Sequence, residues 1–165
     1  ACRPRRAGGG RSRAALTARA GGGPVAEYDP DNVFAKILDG DIPCHRIFET
    51  DHAIAILDAF PCTPGHALLL PKAKGYVTVM DMPAEAAAAV LRELPRLARL
   101  VQGATGADGV NVVQNNYAAA GQVVPHPHWH VIPRLDGDKL VQLGKSAGPI
   151  SAEDAAAMLA KMKDQ

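Results

Sequence analysis

Three of the six histidines in this chain lie in one short segment, at positions 126, 128 and 130. The segment reads His126-Pro127-His128-Trp129-His130-Val131-Ile132. In a β-strand, alternate side chains project from the same face, which would place the three imidazoles about 6.6 Å apart on one side. Trp129 and Val131 would then face the opposite side, towards a core.

Such a patch of histidines has three interpretations. A polar strand face exposed to water would accept any polar residue, so strict alternation of histidine disfavours it. A metal site is chemically reasonable for imidazole, but the nearby candidates for a further ligand are only Asp136 and Asp138. The third interpretation is nucleophilic catalysis by neutral His128. Histidine has a usual pKa of about 6.5, and neighbouring imidazoles oppose its protonation further.

The elements that would position this segment follow from the apolar, glycine and proline patterns. A short helix is predicted after Asp31, a long one from Pro83 to Gln102 with an interruption at Pro95, and a last one from Ser151 to Met162. Strands are predicted at 45–49, 53–57, 66–70, 110–114 and 126–132. Because strands outnumber helices and connections are short, an antiparallel α+β sheet is favoured.

Length and composition restrict the remaining possibilities. The 165 residues suit one domain, and no apolar run approaches the roughly 20 residues of a membrane span. The three cysteines have no CxxC spacing, which argues against a disulfide framework or a zinc ribbon and favours a reducing compartment. We therefore expect a cytoplasmic protein that needs no cofactor and does not insert in a membrane.

The charge of the chain is distributed unevenly. Residues 1–26 carry six arginines and no acidic residue, whereas residues 27–165 carry 12 basic and 17 acidic residues. We expect 1–26 to be a disordered basic extension, 27–140 the folded domain and 141–165 a tail with a helix. The extension has three possible origins: an expression remnant or misassigned start, an organelle transit peptide that would direct the protein to a matrix, or a nucleic-acid tail. The acidic domain itself argues against nucleic-acid binding.

The histidine segment resembles the His-x-His-x-His-x-x signature of the histidine-triad (HIT) family of nucleotide hydrolases and transferases. Further blocks in the same order resemble that family: Phe34-Ala-Lys-Ile37, Asp58-Ala-Phe-Pro61, Pro64-Gly65-His66, Asn115 and Gly121-Gln122. The resemblance extends from Val33 to Arg134. It implies a five-stranded antiparallel sheet with one long and one or two shorter helices, and a homodimer with a continuous ten-stranded sheet.

The resemblance also implies a reaction. His128 would attack the α-phosphorus of a purine nucleotide conjugate, and water would cleave the nucleotidyl-imidazole to release a nucleoside monophosphate. His130 would protonate the leaving group, while His126 and His66 would hold the imidazoles in the right tautomer. Nucleoside 5′-phosphoramidates and dinucleoside polyphosphates remain as alternative substrates. A nucleotide-binding interaction protein with vestigial catalysis is the alternative function.

The resemblance also implies which residues bind the nucleotide. Asp58 would bind the ribose, Asn115 the ribose or phosphate, and Gln122 with nearby backbone groups the phosphate. The full predicted set is Phe34, Ile37, Asp58, Ala59, Asn115, Gly121, Gln122 and Val123. From the residues alone, Phe34 and Ile37 could equally be core, Asp58 and Asn115 turn residues, and His66 a polar group that is simply satisfied.

Several positions depart from the family pattern. Pro127 replaces a hydrophobic strand residue and cannot donate to a ladder, so the strand should be an edge, bulged or one-sided there. Val123 replaces a serine found in one branch, and Tyr117 a glycine found in many bacterial relatives. Three of the four ligands of the family's structural zinc are missing, at Asn32, Ala35 and Lys74, so we predict no metal.

Overall fold

The computed structural model describes residues 27–140 and 148–163, so the expectations for residues 1–26 lie outside the described part of the chain. A single five-stranded antiparallel sheet forms the centre of the described residues, in the order β1-β2-β3-β5-β4. The strands are β1 Arg46–Glu49, β2 Ala53–Leu57, β3 Ala67–Pro71, β4 Gly109–Gln114 and β5 Trp129–Arg134. This confirms the predicted α+β class.

The two faces of the sheet pack against different helices because the strands alternate their side chains. Ala55 and Leu69 lie in a core that also contains Val90 and Leu97 from the helical layer. Their strand neighbours form a second cluster on the opposite face, together with Phe34. Trp129 and Val131 belong to the first core, as predicted, so His130 between them projects from the second face.

Two helices cover the first face where a single interrupted helix was predicted. They are α2, Ala84–Leu91, and α3, Leu94–Thr105. The interruption falls at Arg92–Glu93, and Pro95 then occupies the first turn of α3, where its missing N–H leaves no intrahelical bond unmade. Gly106 ends α3 in a left-handed conformation, with φ 65°.

The second face carries the short helix α1, Val33–Asp39. Its N-cap is Asn32, whose Oδ1 accepts hydrogen bonds from Phe34 N and Ala35 N, both at 3.0 Å. Asp31 therefore precedes the cap. The last helix, α4, spans Ala152–Lys163, and Asp154 N donates to Ser151 Oγ at its start, as the capping-box pattern predicts.

The predicted strand 126–132 is wrong at its beginning. β5 starts at Trp129, because the backbone of His126, Pro127 and His128 forms an irregular segment that leads into it. Pro127 consequently lies outside the ladder, and β5 is a central strand paired with β3 and β4. Across residues 27–140 and 148–163, no helix has both the length and the apolar character of a membrane span.

Candidate active site

The sheet register brings His66 and His130 together. His66 immediately precedes β3, and His130 pairs with Leu68 in the β3–β5 ladder, so the two histidines are diagonal neighbours on the α1 face. His66 Nε2 lies 2.9 Å from His130 Nδ1. His66 is 5% exposed, and this partly buried hydrogen bond joins residues that are 64 positions apart in the chain.

His128 lies beside this pair with one ring nitrogen fixed. Its Nδ1 is 2.7 Å from the carbonyl oxygen of His126. A carbonyl can only accept, so Nδ1 carries the proton and donates, and Nε2 holds an unshared electron pair. The ring of His128 packs edge-on against Phe34 and His130, with both centroid separations 5.0 Å.

His126 is fully buried and its protonation is equally fixed. Its Nε2 lies 3.0 Å from the carbonyl oxygen of Pro71 and therefore donates to it. Its Nδ1 must then accept, and the hydroxyl of Tyr28 lies 3.3 Å away. The irregular backbone before β5 is what allows the His126 carbonyl to face the ring of His128 rather than a neighbouring strand.

A chain of hydrogen bonds sets the direction of the protons on His66 and His130. The backbone N–H of Cys62 donates to His66 Nδ1 at 3.3 Å, so neutral His66 carries its proton on Nε2. Nε2–H then donates to His130 Nδ1, which leaves the proton of neutral His130 on its own Nε2. Asp58 Oδ2 stands 3.5 Å from His66 Nδ1 and 3.9 Å from His130 Nδ1, beyond hydrogen-bonding contact with a neutral ring.

The histidine cluster is held neutral at physiological pH. The pKa of His126 is lowered to about 4, mainly by burial and also by its neighbours His128 and Lys74, against the opposing bond to Pro71. Burial also lowers the pKa of His130 to about 4, with a contribution from His128 and His66. Burial lowers the pKa values of His128 and His66 as well, although the Asp58 carboxylate opposes both shifts.

Gln122 is placed differently from the expectation that its side chain would donate to a phosphate. Nε2 donates to the carbonyls of Val77 at 2.6 Å and Val124 at 3.1 Å, and Oε1 accepts from Tyr117 N at 2.7 Å. Both amide protons are thus engaged, and the buried side chain holds the loop before β5. The bond from Tyr117 N to Gln122 Oε1 also stabilises the backbone of Tyr117, whose φ of 65° lies in the left-handed region that favours glycine.

The backbone of the same loop still offers a donor. The N–H groups of Gly121 and Gln122 donate to the carbonyls of Ala118 and Tyr117, at 2.9 and 3.1 Å. Within residues 27–140, the backbone N–H of Val123 makes no such bond, and its side chain is 90% exposed. Among the donors described for this loop, the Val123 N–H is therefore available to a ligand, whereas the Gln122 amide is already engaged.

The remaining predicted nucleotide-binding residues lie around the histidines at different depths. Phe34 is 8% exposed and packs against His128, and half-buried Ile37 belongs to the same apolar cluster. Exposed Ala59 follows Asp58, whose Oδ1 accepts from the backbone N–H of Phe60. Half-buried Asn115 lies against Gly121, where a Cβ atom would be 3.8 Å from the Asn115 Nδ2.

One group of described residues brings three metal-ligating atoms within 4.8 Å of one another, on Asp58, His66 and His130. The hydrogen bond between the two histidines already accounts for their approach. At two of the positions that the family resemblance assigns to a structural zinc, Asn32 caps α1 and Lys74 forms an ion pair with Asp39. Neither side chain is a customary zinc ligand.

Comparison with known proteins decides the family. The model of the HIT domain matches residues 39–137, which is more than half of the chain. The chain belongs to the HIT family. It is 36% identical over 126 residues to the adenosine 5′-monophosphoramidase hnt1 of Schizosaccharomyces pombe, covering 76% of this chain and 91% of that protein.

Further HIT relatives extend the comparison. The chain is 42% identical over 110 residues to the adenylylsulfatase HINT3 of Arabidopsis thaliana, covering 67% of this chain but only 55% of HINT3. A HIT family protein from Bacillus subtilis superposes with a TM-score of 0.75 at 29% identity, covering 82% of this chain and 96% of that structure. The histidine triad nucleotide-binding protein from Candida albicans gives 0.73 at 28% identity, covering 81% and 96%.

Sequence reasoning missed several contacts of the histidines of this HIT domain, among them those from Tyr28 and Cys62. Tyr28 lies before the predicted first helix and carries no pattern that links it to His126. Cys62 contacts His66 through its backbone N–H, a group that every residue but proline has, and through Sγ, which lies 3.6 Å from His66 Nδ1. The proximity of His66 to the triad came only from the family resemblance.

Proposed function

We propose that this HIT protein is a nucleotide hydrolase that cleaves nucleoside 5′-phosphoramidates through a covalent nucleotidyl-His128 intermediate. The observation that carries the proposal is the bond from His128 Nδ1–H to the His126 carbonyl, which leaves Nε2 free to attack phosphorus. Buried His128 has a lowered pKa, so the nucleophile is neutral at physiological pH.

The first displacement uses His130 as the proton donor. His128 Nε2 forms a bond to the α-phosphorus while the phosphorus–nitrogen bond to the leaving amine breaks. The amine takes the proton from His130 Nε2, and His66 Nε2–H replaces it through the 2.9 Å bond to His130 Nδ1. The proton lost by His66 is replaced at Nδ1 from solvent, once the bond from Cys62 N–H to that nitrogen has opened.

The second displacement reverses this transfer. Water attacks phosphorus, the bond to His128 Nε2 breaks, and the proton of the water returns along His130 and His66. The products are the nucleoside monophosphate and the free amine. The Val123 N–H would donate to a nonbridging phosphate oxygen in both steps, and Asp58, Asn115 and the side chains near Phe34 would hold the nucleoside.

The comparisons support this class of reaction. The relatives named adenosine 5′-monophosphoramidase come from two yeasts, Schizosaccharomyces pombe and Saccharomyces cerevisiae. The Arabidopsis relative is named an adenylylsulfatase. Each of these names implies a substrate with an adenylyl group attached to a leaving group. We therefore propose adenosine 5′-phosphoramidate as the first substrate to test and dinucleoside polyphosphates as the second.

Intact-mass spectrometry tests the intermediate. The protein is mixed briefly with adenosine 5′-phosphoramidate and quenched without acid, with His128→Asn treated in parallel and product release followed in both. A transient gain of one adenylyl group, or steady turnover, that requires His128 would support the proposal. Nucleotide binding without adduct or turnover on either substrate would instead support an interaction protein with vestigial catalysis.

The role of His130 is tested by the choice of leaving group. An amine must be protonated to leave, whereas sulfate leaves as a stable anion. His130→Gln should therefore lower kcat/KM for adenosine 5′-phosphoramidate far more than for adenylyl sulfate. Equal losses on both substrates would show that His130 acts on the phosphate rather than on the leaving group.

The alternative function, an interaction protein with vestigial catalysis, is suggested by the departures from the family pattern at Pro127 and Val123. Pro127 lies outside the β-ladder, so its missing N–H does not weaken β5. Val123 still lacks the hydroxyl of its counterpart, which leaves His130 as the proposed proton donor to the amine. Restoring the hydroxyl with Val123→Ser should raise phosphoramidate turnover if that group assists departure.

We also propose that the protein forms a homodimer through β4. This strand is an edge of the sheet, and Val112 at its middle is 48% exposed. Pairing of β4 with its counterpart would satisfy the open edge and give a ten-stranded sheet. Sedimentation equilibrium should give twice the chain mass, and Val112→Pro should give the monomer.

A further inference from the structure

The buried Nδ1 of His126 has one polar partner within the described residues, the hydroxyl of Tyr28. The two atoms are 3.3 Å apart, and the ring centroids are 6.0 Å apart. His126 is 0% exposed, so water does not contact its ring. Because Nε2 already donates to the Pro71 carbonyl, the Tyr28 hydroxyl is the donor and Nδ1 the acceptor.

Tyr28 is held in place by the turn that begins α1. Asp29, the next residue, accepts from Asn32 N at 3.2 Å and from Asn32 Nδ2 at 2.6 Å through its backbone carbonyl. Asn32 in turn caps the helix that carries Phe34. The turn and the start of α1 therefore place two aromatic rings in contact with the triad. Tyr28 contacts His126, and Phe34 contacts both His126 and His128.

The position of His126 matters for the nucleophile because its carbonyl accepts the Nδ1 proton of His128. A change in the ring or backbone of His126 would move the group that fixes the tautomer of His128. We propose that Tyr28, which lies outside the residues matched by the HIT domain model, is a positioning residue for catalysis that holds His126 and, through its carbonyl, the nucleophile. This inference rests on the proposed function of His128.

The competing explanation is that Tyr28 only covers the His126 ring. Phenylalanine would then serve equally well, because it keeps the ring and removes only the hydroxyl. If the hydrogen bond is what matters, Tyr28→Phe leaves a buried acceptor unpaired and lets His126 shift. Tyr76→Phe is the matched control, since Tyr76 packs against the core on the opposite face of the sheet from the triad.

The test combines two readouts on the full chain. Long-range proton–nitrogen NMR of the ¹⁵N-labelled protein reports the Nδ1 signal of His126, assigned with His126→Gln. Steady-state kinetics on adenosine 5′-phosphoramidate report kcat and KM. Tyr28→Phe should shift the Nδ1 signal to higher frequency and lower kcat about fivefold with KM unchanged, the factor that one ordinary hydrogen bond gives. Tyr76→Phe should change neither.

Each result decides a separate point. An unchanged Nδ1 signal, or a shifted signal with kcat within twofold of wild type, would overturn the positioning role of Tyr28. A rise in KM alone would mean that Tyr28 contacts the nucleotide and would also overturn it. If the wild-type protein turned over neither substrate, the proposed function would be wrong and the catalytic part of this inference with it, while the NMR signal would still decide the contact.

Discussion

Gly65 offers the sharpest test of how the loop carrying His66 is supported. Its φ is 85°, and a Cβ atom there would lie 2.4 Å from Thr105 Cγ2 at the end of α3. Alanine at this position would have to adopt the left-handed backbone conformation, which destabilises the folded state by about 1–2 kcal/mol. The clash adds the cost of an overpacked site, typically about 1–3 kcal/mol. We therefore expect Gly65→Ala to lower the free energy of unfolding by about 2–5 kcal/mol.

Two matched variants separate these costs. Gly40 has the same φ of 85° but nothing within 4 Å of its Cβ position, so Gly40→Ala should cost only the backbone share, about 1–2 kcal/mol. Thr105→Ser removes Cγ2 and keeps the hydroxyl that donates to Val101 O at 2.7 Å. Added to Gly65→Ala, it should recover most of the steric share, about 1–3 kcal/mol.

Urea unfolding of Gly65→Ala, Gly40→Ala and the Gly65→Ala/Thr105→Ser double variant measures these differences, and turnover measures their consequence at the site. The clash pushes the loop away from α3 and with it His66, whose 2.9 Å bond to His130 should lengthen. Folded Gly65→Ala should then hydrolyse adenosine 5′-phosphoramidate more slowly than Gly40→Ala. The reasoning is refuted if Gly65→Ala costs no more than Gly40→Ala, or if Thr105→Ser restores nothing.

Three further predictions concern stability. Asn32→Ala should lose about 1 kcal/mol in urea unfolding through the lost N-cap, and Asn32→Asp should lose little. His126 binds a proton below about pH 6.5 when the chain is unfolded but only below about pH 4 when it is folded. The free energy of unfolding should therefore decrease as the pH is lowered from 6.5 to 4, by roughly 3 kcal/mol at pH 4. The decrease should be smaller in His126→Gln. Gln122→Leu removes the hydrogen-bond partner of Val77 O, Val124 O and Tyr117 N and should lower the melting temperature. A Gln122→Leu protein as stable as wild type would show that these bonds contribute nothing to stability.

Local patterns predicted the parts of the fold that depend on local physics. The alternation of Trp129, His130 and Val131 correctly placed the tryptophan and valine in the core and the histidine on the other face. Pro95 correctly predicted an interruption of the long helix, because the effect of proline is confined to the preceding turn. These features needed no knowledge of which strands become neighbours.

Features that depend on distant chain segments could not be predicted in this way. The carbonyl that receives the His126 Nε2 proton belongs to Pro71, 55 residues earlier in the chain. Gln122 was expected to bind phosphate because its position matched the family pattern, yet its amide reaches Val77, 45 residues away. The helix cap at Asn32 is a smaller case, since the side chain of the adjacent Asp31 would also be a good cap and only the path of the chain chooses between them.

The placement of protons in the site follows from the groups that each ring contacts and not from the spacing of the histidines. Identical spacing of three histidines would be compatible with either nitrogen of each ring carrying the proton. The Pro71 and His126 carbonyls and the Cys62 N–H remove that freedom, because each can only accept or only donate. The motif thus provides the imidazoles, whereas the backbone groups of Pro71, His126 and Cys62 fix which nitrogens carry protons; in the proposed reaction this would leave His128 Nε2 as the nucleophile and His130 Nε2–H as the acid.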